Sequence, residues 1–558
     1  MRTLRMLIWT AALCAIAAPA VAASRGNWDA CKADDPDQSI AACTRIIQGR
    51  GETAKNSAIA RRYRGLAYQR KDDLDRAIAD YSEAIRLDPK YAEAYYGRGL
   101  TYRNKGDVER AIADYNEAIR LDPKLAAAYN NRGNAYRDKD DPDRAIADFN
   151  EAIRLAPQVE AVYPDTIIRR LAHYNRGGAY GEKGDIDRAI ADFSEAIRLD
   201  PNYANAYYRR AVAYASKGDL ARAVADLSEV IRLAPEVATL RHERGKLYQL
   251  QSDYAGAIAD YTEAIRLDPK FAVAYNDRGT AYGFNSDLNR AIADIGEAIR
   301  LEPEVAAAYF NRGKLFHLRG NSGRALADFD EAIRLDPKFV FAYTNRGYVY
   351  LARGNNHRAI ADFSEAIRLE PKLVSTYIDR GNAYRARGDN EHAIADYSEA
   401  IRLAPQFADA YYNRGLAYLY GGTLDKALAD VSEASNLDPA DAYKALWADI
   451  VAQRNNAPSH LSQASAKIDM TPWPAPIIRS YLGRMPPEAV LAAADDPDGK
   501  KKKSQVCEAN FYGGELALRQ GAKDEAVRLF QLAASGCARD VNEAFAANAE
   551  LKALGAAP

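Results

Sequence analysis

Histidine and cysteine are scarce in this chain, six and five among 558 residues. His173, His242, His317, His357, His392 and His460 stand far apart, no Cys-x-x-Cys or Cys/His cluster occurs, and neither a phosphate loop nor a nucleophile elbow is present. The groupings that hold structural zinc or run nucleophilic chemistry are therefore missing. No catalysis, metal or other cofactor is expected. An excess of one charge is missing too: 76 Lys and Arg stand against 77 Asp and Glu, so no broad basic field draws in nucleic acid or acidic lipid. Beyond the first two dozen residues, no apolar run approaches the roughly 20 residues that a membrane-spanning helix needs. Phe is sparse beside Tyr, 14 against 36. In a chain that is 48% hydrophobic and long enough for several domains or a repeat array, that imbalance calls for a local cause.

The amino-terminal end carries Arg2 and Arg5, an apolar stretch over 6–18 and the small residues 20–23. This reads as a cleaved secretory signal over 1–23, so a periplasmic or secreted location is expected. Cys14 follows the bulky Leu13, with little apolar sequence before it, which argues against a lipid anchor.

The rest is dominated by a period of 34 residues. One unit, 92–125, reads A-E-A-Y-Y-G-R-G-L-T-Y-R-N-K-G-D-V-E-R-A-I-A-D-Y-N-E-A-I-R-L-D-P-K-L. Position 8 of the unit is small in eleven copies, at Gly65, Gly99, Gly133, Gly177, Ala211, Gly245, Gly279, Gly313, Gly347, Gly381 and Gly415. Apolar residues recur three and four apart in two blocks split by a Gly-Asp or similar turn, so each unit predicts a helical hairpin. The small residue at 8, Ala at 20, the aromatic at 24, Ala at 27 and Pro at 32 resemble the tetratricopeptide repeat, whose repeats are recognised by this period. The resemblance implies an all-α, right-handed superhelical solenoid of hairpins over 58–439. Tyr recurs at positions 4 and 11, as in Tyr95 and Tyr102, where a ring packs inside while its hydroxyl reaches outward; this accounts for the Tyr excess.

Position 7 is Arg and position 23 is Asp in all eleven units, Arg278 and Asp294 among them. In an antiparallel hairpin these positions lie close, which predicts a ladder of Arg–Asp bridges fixing helix register, each contributing about 0.5 kcal/mol if exposed. Ten extra residues between Gly133 and Gly177 interrupt the period near 158–171. Pro164-Asp165 reads as a helix start, so the following first helix is expected to be longer. A tolerated surface insertion and a docking element both fit this stretch.

Removal of the signal leaves four cysteines in an oxidising compartment. Cys31 and Cys43 lie 34 residues before Gly65 and Ala77, at positions 8 and 20 of a degenerate first repeat over 24–57, where a bridge needs little rearrangement. Cys507 and Cys537 stand at the two ends of a carboxy-terminal hairpin within 507–558. Both expected disulfides fall at the ends of the array, where a solenoid frays first. Between the repeats and this hairpin, 440–506 reads as one capping helix and a linker, with Lys500 to Lys503 in a solvated loop.

Trp473, Ile477, Tyr481-Leu482-Gly483, Asn510-Phe511-Tyr512, Gly514, Gly521, Ala526 and Leu529-Phe530 resemble the carboxy-terminal half of the envelope lipoprotein NlpI family. That resemblance spans about 470 to 535 and implies a periplasmic adaptor that brings a protease to peptidoglycan hydrolases. Other exported tetratricopeptide proteins resemble scaffolds of polysaccharide export or assembly, the alternative reading.

In the tetratricopeptide family, positions 5, 6 and 9 face the concave groove, which makes the groove the expected binding site for partner proteins or peptides. Position 6 places Asn131, Asn175, Asn311, Asn345 and Asn413 there, and position 9 adds Asn134 and Asn382. Asn offers a donor and an acceptor and so suits the backbone of an extended peptide. Position 5 supplies Tyr96, Tyr174, Tyr208, Phe310 and Tyr412 as candidate apolar pockets.

Overall fold

The computed structural model describes residues 26–49, 52–156, 165–537 and 542–557. The expected signal peptide, Cys14, and residues 157–164 of the interruption lie outside them. The described residues form helices and no strand, and the chain divides into two compact units, 1–269 and 270–558.

A single hairpin shows why the sequence folds this way. The first helix, Ala92–Asn104, ends in a turn where Gly106 takes a φ of 84°, a conformation without penalty only for glycine. Asp107 then caps the second helix, Val108–Leu121, by accepting from the Arg110 N–H at 3.1 Å, which satisfies one of the exposed donors at a helix start. Ala111, Tyr115 and Ala118 form the buried stripe of that helix. The absence of a side chain at position 8 is what admits the ring: a Cβ on Gly99 would sit 2.9 Å from the Tyr115 ring, and one on Gly133 2.7 Å from Phe149. Where Ala211 replaces the glycine, position 24 is the smaller Leu227.

In the unit 1–269, a short helix over 26–31 and Pro36–Gln48 form the amino-terminal pair, joined by a disulfide between Cys31 and Cys43 with Cα atoms 4.7 Å apart. Hairpins then follow up to Tyr254–Leu267, each packed on the next. The helix after the interruption, Asp165–Glu182, has 18 residues where its counterparts have 12 to 17, as the Pro164-Asp165 start implied. It packs against Pro142–Leu155, so stacking continues past the ten extra residues.

In the unit 270–558, hairpins from Ala272–Phe284 to Leu424–Leu437 lead into a carboxy-terminal module. Its core joins Tyr412 and Leu416 of the last regular unit to Trp447, Phe511, Tyr512, Phe530 and Leu551. The segment read as linker is in large part helical, with Leu461–Ala464, Ala475–Tyr481 and Pro487–Ala493 following Ala442–Arg454. Lys500 to Lys503 do not form a loop; they open the helix Gly499–Arg519. Asp498 caps this start by accepting from the Lys500 N–H at 2.8 Å, and Lys502 pairs with Asp495 at 2.6 Å, which offsets the repulsion among four like charges. Cys507 therefore lies inside a helix, bonded to Cys537 across the hairpin with Cα atoms 5.1 Å apart.

The Arg–Asp ladder is present in every unit. Arg98 Nε and Nη2 each reach Asp114 at 2.8 Å, Arg278 reaches Asp294 at 2.6 and 2.8 Å, and the other nine rungs have the same two-pronged form. These are not exposed pairs. The aspartates of the ladder are buried or nearly so, so removing one partner of a rung costs more than the exposed-pair figure, because the other is left buried and uncompensated. The third prong was not foreseen: Nη1 of the arginine reaches back to position 25 of the preceding unit, Arg98 to Ser82 at 3.1 Å, Arg132 to Asn116 at 2.6 Å, Arg346 to Asp330 at 2.6 Å and Arg380 to Ser364 at 3.0 Å. Arg176 makes the same bond to Asn150 from beyond the interruption. In several units Tyr at positions 4 and 11 brackets the guanidinium, as Tyr95 and Tyr102 do at 5.7 and 5.9 Å from Arg98 and Tyr411 and Tyr418 do at 5.8 and 5.9 Å from Arg414, a cation–π arrangement.

Candidate functional site

The two kinds of helix present different surfaces. On the second helices, Glu and Arg three residues apart form ion pairs from Glu83–Arg86 through Glu399–Arg402, leaving a charged, self-satisfied face. At 3.6 residues per turn, positions 2, 5, 6, 9 and 13 of the first helices fall on one side. Exposed large apolar residues collect there. In the unit 270–558 these are Val273, Phe284, Leu318, Phe341 and Tyr348, with Leu318 70%, Phe284 61% and Phe341 56% exposed. In the unit 1–269 they are Tyr208, Val212 and Leu250, whereas from 103 to 182 the same side is closed by the ion pairs Arg103–Asp138 and Arg137–Glu182.

The expected groove asparagines lie on this side, but most use their amides within the protein. Asn131 Nδ2 donates to the Tyr96 hydroxyl at 2.8 Å, Asn175 to Asn130 at 3.0 Å and Asn311 to Asn276 at 3.1 Å, each joining one unit to the one before. Asn345 and Asn413 donate to carbonyls of their own helices, Phe341 and Asp409. Asn382 accepts from the Tyr397 hydroxyl at 2.7 Å, and Asn134 is half-buried. The position-5 rings also fill space between helices instead of opening pockets. Tyr96 lies 6.2 Å from Tyr115, Tyr174 5.2 Å from Tyr203 and Phe310 4.9 Å from Phe339; burial raises the Tyr96 hydroxyl pKa, opposed by the Asn131 donor. Tyr208 alone of the five stays exposed.

Tyr412 and Asn413 are not open groove positions. The helix Asn542–Ala553 folds back over them: Asn542 Nδ2 reaches the Tyr412 hydroxyl at 3.4 Å, Arg385 donates to Asn542, and the Arg385 guanidinium lies 5.5 Å from the Phe545 ring. Tyr412 and Asn413 are each 8% exposed, and burial drives the Tyr412 pKa far above its ordinary value. Arg454 fastens this helix through Glu550 at 2.8 Å and holds Glu515 of Gly499–Arg519 at 2.6 Å; burial raises the Glu515 pKa.

Beside this roof lies a cavity of about 1050 Å³, walled by Ile378, Asp379, Asn382 and Arg385 and closed by Glu543 and Phe545. Burial pushes Asp379 up to about 6, with the Tyr348 hydroxyl donating to it at 2.6 Å. Burial also raises Glu543, which accepts from the Tyr512 hydroxyl at 3.1 Å. Glu508, on the same cavity, accepts from Trp473 Nε1 at 2.8 Å and the Tyr443 hydroxyl at 2.6 Å. The sequence reading passed over position 13, although Leu250, Phe284 and Leu318 follow one another at the 34-residue period.

Family models described as "TPR repeat" match residues 177–218, 248–283 and 381–420, and models described as "Tetratricopeptide repeat" match 64–126, 96–160, 276–338, 329–361, 204–237 and 408–441. The hairpins are tetratricopeptide repeats. Among solved structures, the chain is similar to a chain of the APC/C hetero-tetramer Cut9-Hcn1, at 15% identity over 76% of this chain and 95% of that one, with a TM-score of 0.36. It is similar to a tetratricopeptide repeat protein from Parabacteroides merdae, at 22% identity over 44% and 98%, with a TM-score of 0.36. YrrB, described as a TPR protein with an unusual peptide-binding site, matches at 24% identity over 33% and 95%, with a TM-score of 0.30. Among the described residues, no tetratricopeptide helix is long and apolar enough to cross a membrane.

Proposed function

We propose that this protein is a non-catalytic scaffold of the cell envelope that binds partner proteins or peptides along the inner face of its first helices. The observation that carries the reading is the contrast between faces. The second helices present paired charges, while Phe284, Leu318 and Phe341 stand exposed on the first helices, and contiguous exposed apolar surface marks interaction sites. The expected signal peptide and two disulfides suit an oxidising compartment. The resemblance of 470–535 to the NlpI family favours peptidoglycan hydrolases or a processing protease as partners, in the upkeep of peptidoglycan or the outer membrane. Subunits of a polysaccharide export or assembly complex are the alternative.

Site-specific photocrosslinking in cells tests this reading. A crosslinker at Tyr348 should capture discrete partners in the periplasmic fraction, and one at Arg334 on the outer face should not. Hydrolases or proteases among the captured proteins support the adaptor role, and export-complex subunits support the alternative. Crosslinks from Arg334 alone, or a protein confined to the cytoplasm, would overturn it.

A further inference from the structure

We propose that the carboxy-terminal module binds a guanidinium, carried by an arginine with a free carboxylate, in a cavity where the Arg–Asp ladder breaks off. The proposal is independent of the scaffold reading, and the cavity opens on positions 4, 7 and 11 of a first helix instead of the inner side. The last rung is Arg414 with Asp430, bracketed by Tyr411 and Tyr418 and reaching back to Ser398 at 3.0 Å. The next helix, Ala442–Arg454, begins 34 residues after Ala408–Tyr420 and packs on Leu424–Leu437. At the matching positions every member of the rung is now alanine. Ala445 and Ala452 stand for the two tyrosines, Ala448 for the arginine and Ala464 for the aspartate. The acceptor of the third prong is kept, as Ser432 at position 25. These four alanines and Ser432 all line one cavity of about 420 Å³, within the size range of small-molecule sites. The cavity thus lies where the regular units hold a guanidinium between two rings.

Two further residues set what the cavity takes. Asp449 stands at position 8, where the eleven regular units carry Gly or Ala. It lines the cavity and is 3% exposed; its Oδ2 accepts from Gln453 Nε2 at 2.6 Å, while its Oδ1 is buried with no hydrogen-bond partner among the described residues. A buried carboxylate oxygen without a donor is costly to keep, and a guanidinium brings five N–H donors in one plane. Arg454, the nearest arginine along the same helix, is held by Glu515 and Glu550. A guanidinium in the cavity therefore meets what a ladder arginine meets, an aspartate and a position-25 oxygen. The opposite charge comes from position 26, which is Glu in all eleven units but Lys467 here. Lys467 lines the cavity, is exposed and, among the described residues, pairs with no carboxylate. An arginine with its side chain inside would offer its α-carboxylate to that ammonium. Free arginine and an arginine at the carboxy terminus of a protein share this chemistry.

Isothermal titration calorimetry on the oxidised full chain tests the proposal. The probes are L-arginine; agmatine, which lacks the carboxylate; L-citrulline, which replaces the guanidinium with a neutral urea of similar shape; and the tripeptide Gly-Gly-Arg with a free or an amidated carboxy terminus. L-arginine or the free-ended tripeptide should bind saturably. Citrulline, agmatine and the amidated tripeptide should each bind at least about tenfold more weakly than the matching arginine probe, because each loses one charge-assisted pair. Asp449→Asn should weaken the arginine probe at least about tenfold, and Lys467→Ala should bring it down to the affinity of agmatine. Since Asp449 is buried, a second variant guards against a folding defect: Ala448→Met lays an apolar stem where a ladder arginine runs, and should abolish binding with circular dichroism unchanged. Binding of L-arginine alone would mark a small-molecule site, and binding of the free-ended tripeptide a site for protein carboxy termini; either supports the proposal. No binding of either probe, equal affinity for citrulline or for agmatine, or full affinity in folded Ala448→Met would overturn it.

Discussion

Cutting one rung of the Arg–Asp ladder should be felt in two hairpins, and Arg98 and Asp114 allow the cost to be worked out. The Asp114 side chain is 8% exposed and that of Arg98 20%, joined by two bonds of 2.8 Å, with a third from Arg98 to Ser82 at 3.1 Å. Arg98→Met strands a carboxylate in a site that water barely reaches and should cost about 3 kcal/mol, the lower end for a broken buried pair. Asp114→Asn keeps the shape and one acceptor but removes the charge, and should cost about 2 kcal/mol. In the double variant the penalty for the stranded carboxylate is gone, so the total should be about 3 kcal/mol instead of 5, a coupling of about 2 kcal/mol. A repeat array does not melt as one two-state unit, so the assay is hydrogen exchange by mass spectrometry across 74–121. Arg98→Met should also loosen Leu74–Leu87 through the lost Ser82 bond, while Asp114→Asn should act mainly within 92–121. Additivity within about 0.5 kcal/mol, or identical exchange patterns in the two single variants, would refute the reasoning.

Gly133→Ala should destabilise its hairpin by about 1–3 kcal/mol, because the new methyl meets the Phe149 ring at 2.7 Å; adding Phe149→Leu should recover much of this, as the Ala211 and Leu227 pair suggests, and thermal melts would show it. Reduction of Cys507–Cys537 should cost the terminal hairpin about 2–4 kcal/mol, read as faster exchange over 499–536 with the hairpins near residue 300 unchanged; non-reduced peptide mapping should find Cys31 with Cys43 and Cys507 with Cys537. Asp379 holds its proton up to about pH 6 in the folded protein, above the usual carboxylate value of about 3.9. Its contribution to stability is therefore full below pH 4, falls as pH rises to about 6 and is flat above that; Asp379→Asn should remove this fall from the melting profile, and superimposable profiles would contradict the burial argument.

The period made the hairpins legible, since small residues at 8 and 20 and the aromatic at 24 recur as types. Arg at 7 and Asp at 23 were legible for the same reason. The reach from Arg to position 25 was not, because Ser82, Asn116, Asn150 and Asp330 share an oxygen acceptor but no residue type. The asparagines were visible and their engagement was not: Asn131 and Asn311 meet partners 35 residues back, and which atom an amide uses depends on packing that spacing does not specify. The cover over Tyr412 was hidden more deeply, since Arg385 and Asn542 are 157 residues apart. In 455–498 the helices run four to seven residues, too short for periodicity to separate them from turns, and Asp498 is a cap that a run of four lysines obscured.

Arg98 sits midway between its two anchors, sixteen residues after Ser82 and sixteen before Asp114, and Arg132, Arg346 and Arg380 do the same. Where position 25 supplies an oxygen, as at Ser82, Asn116, Asp330 and Ser364, the joints share one fitting, and a hairpin presents to its successor what its predecessor presented to it. Duplication or loss of one 34-residue block between such joints leaves an arginine facing an oxygen at position 25, so reach can drift over evolutionary time while the joints stay matched. The joint also tolerates slack in the connection, since Arg176 finds Asn150 across a connection lengthened by ten residues. New sequence can therefore be grafted between hairpins without altering the phase of the array, and a recombination that breaks the 34-residue phase inside a hairpin is the kind that selection would remove.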